Sequence, residues 1–325
     1  MAGTGTVVVT KDSNARDRRK RARNTAVKRT VGLIGGIILL ILIIRGIQAM
    51  RSAGLHELRV DRPFAADSVH TIRLTRSEST ITDVLKDDPD TPVAAGETVR
   101  TVSLDGRAKL INVDARGVPT RIILKVTSLY ENTTGTEQLL LENSEDIGIT
   151  RRLGGVFDIA CKTPLGSTVE EALSFALIEF MRPIPRDLRF NALVVESERR
   201  RVLDEWDLDP QQLKVLGQYL LGGTVRSAEG QAQLPKREII SDRPCLVLLT
   251  HSEFKGAQVP VPVGYRSFGF ESFSVSTAHS LPLDFRQPAI SRSTTTILKG
   301  TGSPRQSQVA EVRITKRIKV VEEIE

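Results

Sequence analysis

Histidine, serine and acidic side chains could do chemistry in this sequence, but their spacing argues against a catalytic or metal site. No histidine stands at metal-ligand spacing with another histidine, a cysteine or an acid. The four histidines are His56, His70, His251 and His279. We therefore predict no catalytic residue, no metal, no cofactor and no enzymatic activity.

The segment GYRSFG at 264–269 places a serine near glycines, as in the nucleophile elbow of some serine hydrolases. That turn needs Gly-x-Ser-x-Gly between a strand and a helix. Tyr265 stands where the first glycine is required, and no helix is predicted to follow. The segment is interpreted as a strand. A hydrolase with dispersed catalytic residues is kept as the least favoured alternative, because triads assemble in space rather than in sequence.

The acidic segment LDEWDLD at 203–209 surrounds the single tryptophan, Trp206. A calcium loop would need oxygen ligands and usually a glycine turn, which is missing here. Acids favour the positive end of a helix dipole. The segment is therefore interpreted as a helix N-terminus with Trp206 as a core anchor.

Aromatic residues and leucines cluster near the C-terminal third of the chain and could line a hydrophobic cavity. Phe268 and Phe270 share one parity along a predicted strand, so core packing is the first interpretation. The set interpreted as a possible ligand cavity is Phe268, Phe270, Phe273, Leu281 and Leu283.

Cys161 and Cys245 are the only cysteines. In an exported domain they could form a disulfide. As two small buried hydrophobic residues they need no partner. Both alternatives stay open at this point.

The charge distribution excludes a nucleic-acid-binding domain. The net charge is +7. Residues 1–30 hold nine Lys or Arg and two acids, and the other 295 residues hold 37 of each sign. The basicity therefore belongs to the tail. An electrostatic footprint for nucleic acid requires clustered positive charge on the domain itself.

The apolar segment at 31–50 follows this tail, and its first fourteen residues carry no charge. With Arg45 reaching the interface, the segment is long enough to span a membrane. The positive tail predicts a cytoplasmic N-terminus. We therefore expect an uncleaved signal anchor in a single-pass inner-membrane protein, with residues 51–325 in the periplasm or extracellular space.

Two segments 124 positions apart align without a gap, GRAKLINVDARGVPTRIILKVTSLY at 106–130 and GQAQLPKREIISDRPCLVLLTHSEF at 230–254. Both read as a short strand, a polar turn and a longer apolar strand. We interpret them as an internal duplication. The dipeptide at 105–106 and the segment at 114–117 are hairpin turn signals, and 310–325 alternates like a half-buried strand.

Two helices are predicted. Residues 167–180 begin with Ser167 and Glu170 at capping-box spacing. Residues 209–223 combine an N-cap Asp209, proline at the first helical position and two glycines at the end.

The predicted fold class is α+β, with one N-terminal transmembrane helix and two similar antiparallel β-rich modules that carry about one helix each. The predicted domains are a basic cytoplasmic tail (1–30), the anchor (31–50), a linker (51–67), a first module (68–190) and a second module (191–325).

The segments GRAKL, GQAQL, DARGVP, STVEEAL and DPQQLKVL give the chain a plan that resembles uncharacterised bacterial single-pass envelope proteins with tandem β-rich ectodomains. The likeness covers roughly residues 68–320. The likeness implies no catalytic residue. The predicted anchor and the lack of a catalytic motif favour a non-enzymatic, membrane-anchored role outside the cytoplasm, with an envelope component or a protein as partner. The alternative is a lipid- or hydrophobe-binding ectodomain with a cavity between sheet and helix.

Overall fold

The computed structural model describes residues 55–325 except 57, 61–62, 92, 153–155, 195–199 and 308. The strands are β1 (Leu55–His56), β2 (Val69–Lys86), β3 (Gly96–Val113), β4 (Pro119–Thr133), β5 (Thr136–Glu142), β6 (Asp146–Arg151), β7 (Phe157–Ala160), β8 (Arg200–Arg201), β9 (Glu205–Asp207), β10 (Ser227–Ile240), β11 (Arg243–Lys255), β12 (Tyr265–Pro282), β13 (Ser291–Pro304) and β14 (Glu311–Ile324). The helices are α1 (Ser167–Leu177), α2 (Phe190–Val194) and α3 (Pro210–Leu221).

Twelve of the described strands form one antiparallel sheet in the order β7-β6-β4-β3-β2-β14-β13-β12-β11-β10-β9, with β5 beside β4. The C-terminal strand β14 pairs with β2, so that Ile324 lies opposite Ile72 and Val312 opposite Val84. The hydrogen-bonded ladder therefore continues from the first predicted module into the second.

The predicted α+β class is wrong, because strands hold 58% of the described residues and helices only 11%. The alternation at 310–325 does indicate a strand, and β14 is present. Alternation decides which side chains share a face, but it does not say which strand lies alongside. The predicted domain boundary between 190 and 191 stays a prediction.

One face of the sheet, here called the inner face, carries both longer helices. Alternate residues on this face are buried, among them Ile72 in β2 and Leu248 in β11. Helix α1 packs on β2, β3 and β4, and α3 packs on β10 and β11. Each helix therefore closes its own apolar core over one half of the sheet.

The ends of α3 follow the prediction from sequence. The Asp209 side chain accepts a hydrogen bond from the Gln212 backbone N–H, and Gly222 ends the helix with φ +66°. The capping box predicted for α1 is wrong, since Gly166 is the N-cap and no side chain caps the helix. Helix α1 also ends at Leu177 rather than at 180.

The hairpin turn predicted at 105–106 is wrong. Asp105 and Gly106 lie inside the long strand β3, where the pairing with β4 shifts between them. A Cβ on Gly106 would lie 2.7 Å from the Lys125 carbonyl oxygen. Gly106 therefore allows β3 and β4 to approach each other closely where their pairing shifts. Glycine within a strand often marks such a site.

The two segments of the predicted duplication form hairpins of different register. Ala108 lies opposite Leu124. Ala232 lies opposite Thr250, although the sequence alignment would place it opposite Leu248. The two pairings differ by two residues. Because side chains alternate between faces with a period of two, this difference leaves each side chain on the same face. Both alanines are buried. The duplication stays a prediction.

The described residues include no helix that is long and apolar enough to cross a membrane. The predicted tail at 1–30 and anchor at 31–50 lie outside the described residues. Because no described helix supports them, we drop the transmembrane, signal-anchor and single-pass assignments, together with the predicted single-span membrane partner.

Replacing Gly117 by alanine is expected to lower the free energy of unfolding by more than the usual cost of a left-handed residue, which is roughly 1–2 kcal/mol. Gly117 has φ +72° in the turn between β3 and β4, and a Cβ there would lie 2.1 Å from Pro63 Cβ. Gly135→Ala is the control, because Gly135 has φ +87° but no atom within 4 Å of its Cβ position. Both free energies of unfolding are measured by urea denaturation. If the two variants lose the same stability, the steric contribution of Pro63 is contradicted.

Candidate functional site

A cavity of about 490 Å³ lies between the inner face of β11–β14 and helix α3, and we call it the inner cavity. Its apolar walls include Leu216 and Leu220 of α3, facing Phe273, Val275 and Leu298 of the sheet. The volume falls within the roughly 300–1,000 Å³ range of small-molecule sites in proteins.

Threonines explain why the sheet side of this cavity is not filled. Thr250, Thr277, Thr294 and Thr296 all line it. They stand at alternate positions on neighbouring strands, with Thr250 opposite Thr277 and Thr294 opposite Val320. A threonine side chain is shorter than the leucines that fill the two cores on either side. The gap between sheet and helix is therefore left open.

The close contact of Gly217 with Phe254 sets the position of α3. A Cβ on Gly217 would lie 2.6 Å from Phe254 Cδ1 and 2.9 Å from Val225 Cγ2. Phe254 is fully buried, and its ring centroid lies 5.4 Å from that of Phe273. The helix is thus held against β11 at one point, while its Leu216 and Leu220 reach the cavity.

The loop at 259–263, with sequence VPVPV, borders the inner cavity with all five residues. Val263 is 99% exposed and Val261 is also exposed. The loop lies between two glycines of positive φ, Gly256 at +62° and Gly264 at +92°. Apolar side chains therefore continue from the cavity wall to the protein surface.

The charged residues Glu179, Arg182 and Arg292 line the inner cavity, and Glu322 pairs with Arg292. We call these four residues the polar junction. Arg182 Nη1 donates to both Glu179 carboxylate oxygens at 3.1 and 3.2 Å. Arg292 Nη2 lies 2.6 Å from Glu322 Oε2, and these two residues are directly opposite each other in β13 and β14.

Tyr219 of α3 ties the polar junction to the helix. Its hydroxyl donates to the Pro183 carbonyl oxygen at 2.8 Å. The Arg182 guanidinium carbon lies 4.4 Å from the ring centroid, a cation–π distance. Burial raises the pKa of Tyr219 to about 12, so its hydroxyl stays protonated at physiological pH.

Burial by itself lowers the pKa of the Arg292 guanidinium, but the Glu322 carboxylate outweighs this effect and the net pKa is raised. Arg292 therefore stays charged. Its side chain keeps 37% of its surface accessible, because it lines both cavities. Glu322 is 5% accessible, and its Oε1 is buried without a hydrogen-bond partner among the described residues.

A second cavity of about 350 Å³, here called the side cavity, lies on the other side of the polar junction. It shares Glu179, Arg182 and Arg292 with the inner cavity. Phe64 and Phe180 contribute apolar walls to it. The polar junction therefore lies between two partly apolar spaces.

The aromatic and leucine residues predicted to line a cavity are separated by the structure. All five follow the parity of the inner face, because a pairing shift between Phe270 and Ser272 brings Phe273 onto the face of Phe268 and Phe270. Only Phe273 among them lines the inner cavity. Leu281 is fully buried in the core and Leu283 is exposed.

The side chains that sequence reasoning missed are the threonines, Tyr219 and the polar junction. The alternate threonines of the segment at 291–300 are the available sequence signal. The pairing of Arg292 with Glu322 has no local signal, since it depends on the register of two strands.

Neither Cys161 nor Cys245 forms a disulfide, and Cys245 is buried. Cys161 follows the edge strand β7, whereas Cys245 lies in β11, and seven of the described strands stand between β7 and β11 in the sheet order. A disulfide requires Cα atoms within about 7 Å. The structure does not bring the two thiols together.

Ser276, His251 and Glu253 form a chain on the outer face, with His251 Nδ1 2.9 Å from Ser276 Oγ and Nε2 3.4 Å from Glu253 Oε1. Acyl transfer also needs donors for an oxyanion. The strand that carries Ser276 is paired on both sides, to β11 and β13, so its backbone amides belong to the ladder. Both His251 and Glu253 are more than half exposed. We assign no reaction to this chain. No group of His, Cys, Asp and Glu in the described residues could hold a metal ion.

Comparisons with known proteins give the chain no family. No protein-family model matches it, and no curated protein gives a significant match. Among solved structures, one described as "Lipid-protein interactions in lipovitellin" is similar over 81% of this chain, at 10% sequence identity and a TM-score of 0.30. The matched part is 26% of that protein's length. A TM-score this low supports no argument about fold or function.

Proposed function

We propose that this protein binds one molecule of a hydrophobic ligand in the inner cavity, as a binding protein rather than an enzyme. The observation that carries the proposal is a largely apolar cavity of about 490 Å³ between sheet and helix, with Glu179, Arg182 and Arg292 among its lining residues. Binding sites for small molecules typically combine these two features.

The size of the cavity favours a single acyl chain or a ligand of similar bulk. A water molecule takes roughly 30 Å³ of the liquid. At a similar volume for each ligand atom, the inner cavity has room for about sixteen non-hydrogen atoms. Each methylene group buried there would contribute about 0.8 kcal/mol.

The exposed valines of the loop at 259–263 support the same proposal. Scattered exposed apolar residues are ordinary on protein surfaces. Here Val261 and Val263 continue the apolar wall of a cavity to its rim. Such a rim gives a hydrophobic ligand a path of entry that avoids exposed charge.

Native mass spectrometry of the full chain, before and after solvent extraction and then with added hexadecanol, tests the proposal. Hexadecanol is chosen because it is uncharged and its length is close to the capacity of the cavity. We expect a one-to-one adduct that extraction removes and hexadecanol restores. A bare polypeptide mass throughout, with no uptake of hexadecanol, would overturn the proposal.

A further inference from the structure

The charged side chains that line the two cavities include more cations than carboxylates. Among the described residues that line the two cavities, four are cations and two are carboxylates. They are Arg116, Arg182, Arg292, Lys316, Glu179 and Glu322. Arg76 and Glu78 are ion-pair partners of this group, and adding both leaves the same excess of two positive charges.

The two arginines of the junction have hydrogen-bonding capacity beyond their ion pairs. A guanidinium carries five N–H donors in a planar fork. The ion pair of Arg292 with Glu322 uses Nη2, and the hydrogen bonds from Arg182 to Glu179 use Nη1. Both arginines line the inner cavity as well as the side cavity. Arginine is the side chain best suited to carboxylate and phosphate recognition.

An unpaired atom also points to a polar ligand group at the junction. Glu322 Oε1 is buried without a hydrogen-bond partner among the described residues, and Glu322 lines the side cavity. Buried polar atoms are normally satisfied, and an exception calls for an explanation. A water molecule carried with the ligand's head, or the P–OH group of a singly ionised phosphate, would donate a hydrogen bond to this oxygen.

From these three observations we propose that the ligand of the inner cavity is an amphiphile with an anionic head, a carboxylate or a phosphate, which binds Arg182 and Arg292 at the polar junction. The inference rests on the proposed function, since the inner cavity must hold the chain of the same molecule. The head group would lie in a site shielded from bulk solvent, where a charge-assisted hydrogen bond is strong.

Binding of hexadecanoate, hexadecyl phosphate, hexadecanol and methyl hexadecanoate to the full chain tests this inference by isothermal titration calorimetry. All four carry an unbranched chain of sixteen carbon atoms, counting the carboxyl carbon of the acid and the ester. We expect at least one of the two anions to bind about tenfold more tightly than the alcohol and the ester. Inorganic phosphate is the fifth probe. Binding of inorganic phosphate as tight as that of hexadecyl phosphate would overturn the inference, because the site would then belong to a free anion.

Arg182→Gln tests whether Arg182 binds the anionic head group, and Arg186→Gln is the matched control. Arg186 is exposed and lines neither cavity. We expect Arg182→Gln to bring the affinity ratio of anion to alcohol close to one, whereas Arg186→Gln keeps the ratio of the unmodified protein. An unchanged ratio in Arg182→Gln would contradict the role of Arg182.

The two proposals fail in different ways. Failure of all four long-chain probes to bind would overturn the proposed function and the head-group inference together. Equal affinities for anions, alcohol and ester would overturn only the anionic head, because the hydrophobic ligand would still be bound. These outcomes are read from the unmodified protein, so they do not depend on whether a variant folds.

Discussion

Thr296→Trp is expected to weaken hexadecanol binding by about 100-fold. Thr296 lies on the inner face in β13, opposite Ile318 in β14, and both residues line the inner cavity. The indole would occupy the space of roughly four methylene groups, and each buried methylene is worth about 0.8 kcal/mol, so the loss is about 3 kcal/mol. The measurement is the dissociation constant from calorimetry of the full chain.

Thr295→Trp is the matched control for this prediction. Thr295 directly precedes Thr296 in the same strand. It lies opposite Lys319, and its side chain is on the outer face. We expect this variant to bind hexadecanol like the unmodified protein. The apolar segment at 31–50 is present in both variants, so a difference between them reports on the cavity alone. Equal binding by the two variants would place the ligand elsewhere.

Phe254→Ala is expected to lower the free energy of unfolding by about 3–5 kcal/mol, the usual cost of truncating a buried phenylalanine. Phe254 is fully buried and contacts α3 at Gly217 as well as the ring of Phe273. A loss of this size is a large part of the roughly 5–15 kcal/mol of a typical domain. Urea denaturation followed by circular dichroism measures it.

A double-mutant cycle with Gly217→Ala separates the helix contact from general loss of packing. Gly217→Ala alone is expected to destabilise the protein, because the new Cβ would lie 2.6 Å from Phe254 Cδ1. In the Phe254→Ala background that overlap is gone, and alanine favours a helix over glycine by about 1 kcal/mol. The destabilising effect of Gly217→Ala should therefore shrink, although the close approach to Val225 Cγ2 at 2.9 Å remains in both backgrounds. Additive effects would contradict direct contact between the two residues.

Local features of the sequence predicted the structure well where neighbouring residues decide it. The N-cap Asp209 and the terminal Gly222 set the ends of α3, because capping bonds join residues three or four positions apart. The alternation around Ile314 and Val320 indicated β14, since parity along a strand is a local property.

The local features failed where a remote strand decides the outcome. The dipeptide at 105–106 has the composition of a hairpin turn, but its surroundings keep it inside β3. Ser167 has capping-box spacing to Glu170, yet Gly166 is the N-cap and Ser167 is already the first residue of the helix. For the dipeptide, pairing of β3 with β2 and β4 on both sides outweighs the local preference for a turn.

The sequence by itself determined that this chain is rich in strands, that its excess of positive charge lies in residues 1–30, and that α3 begins and ends where it does. Tertiary structure alone decided that β14 joins β2, that a pairing shift places Phe273 on the inner face, and that Arg292 meets Glu322 beside a cavity. The reason is that propensity and periodicity act over a few residues. The inner cavity, in contrast, depends on the register of strands far apart in sequence and on the packing of α3 against β10 and β11.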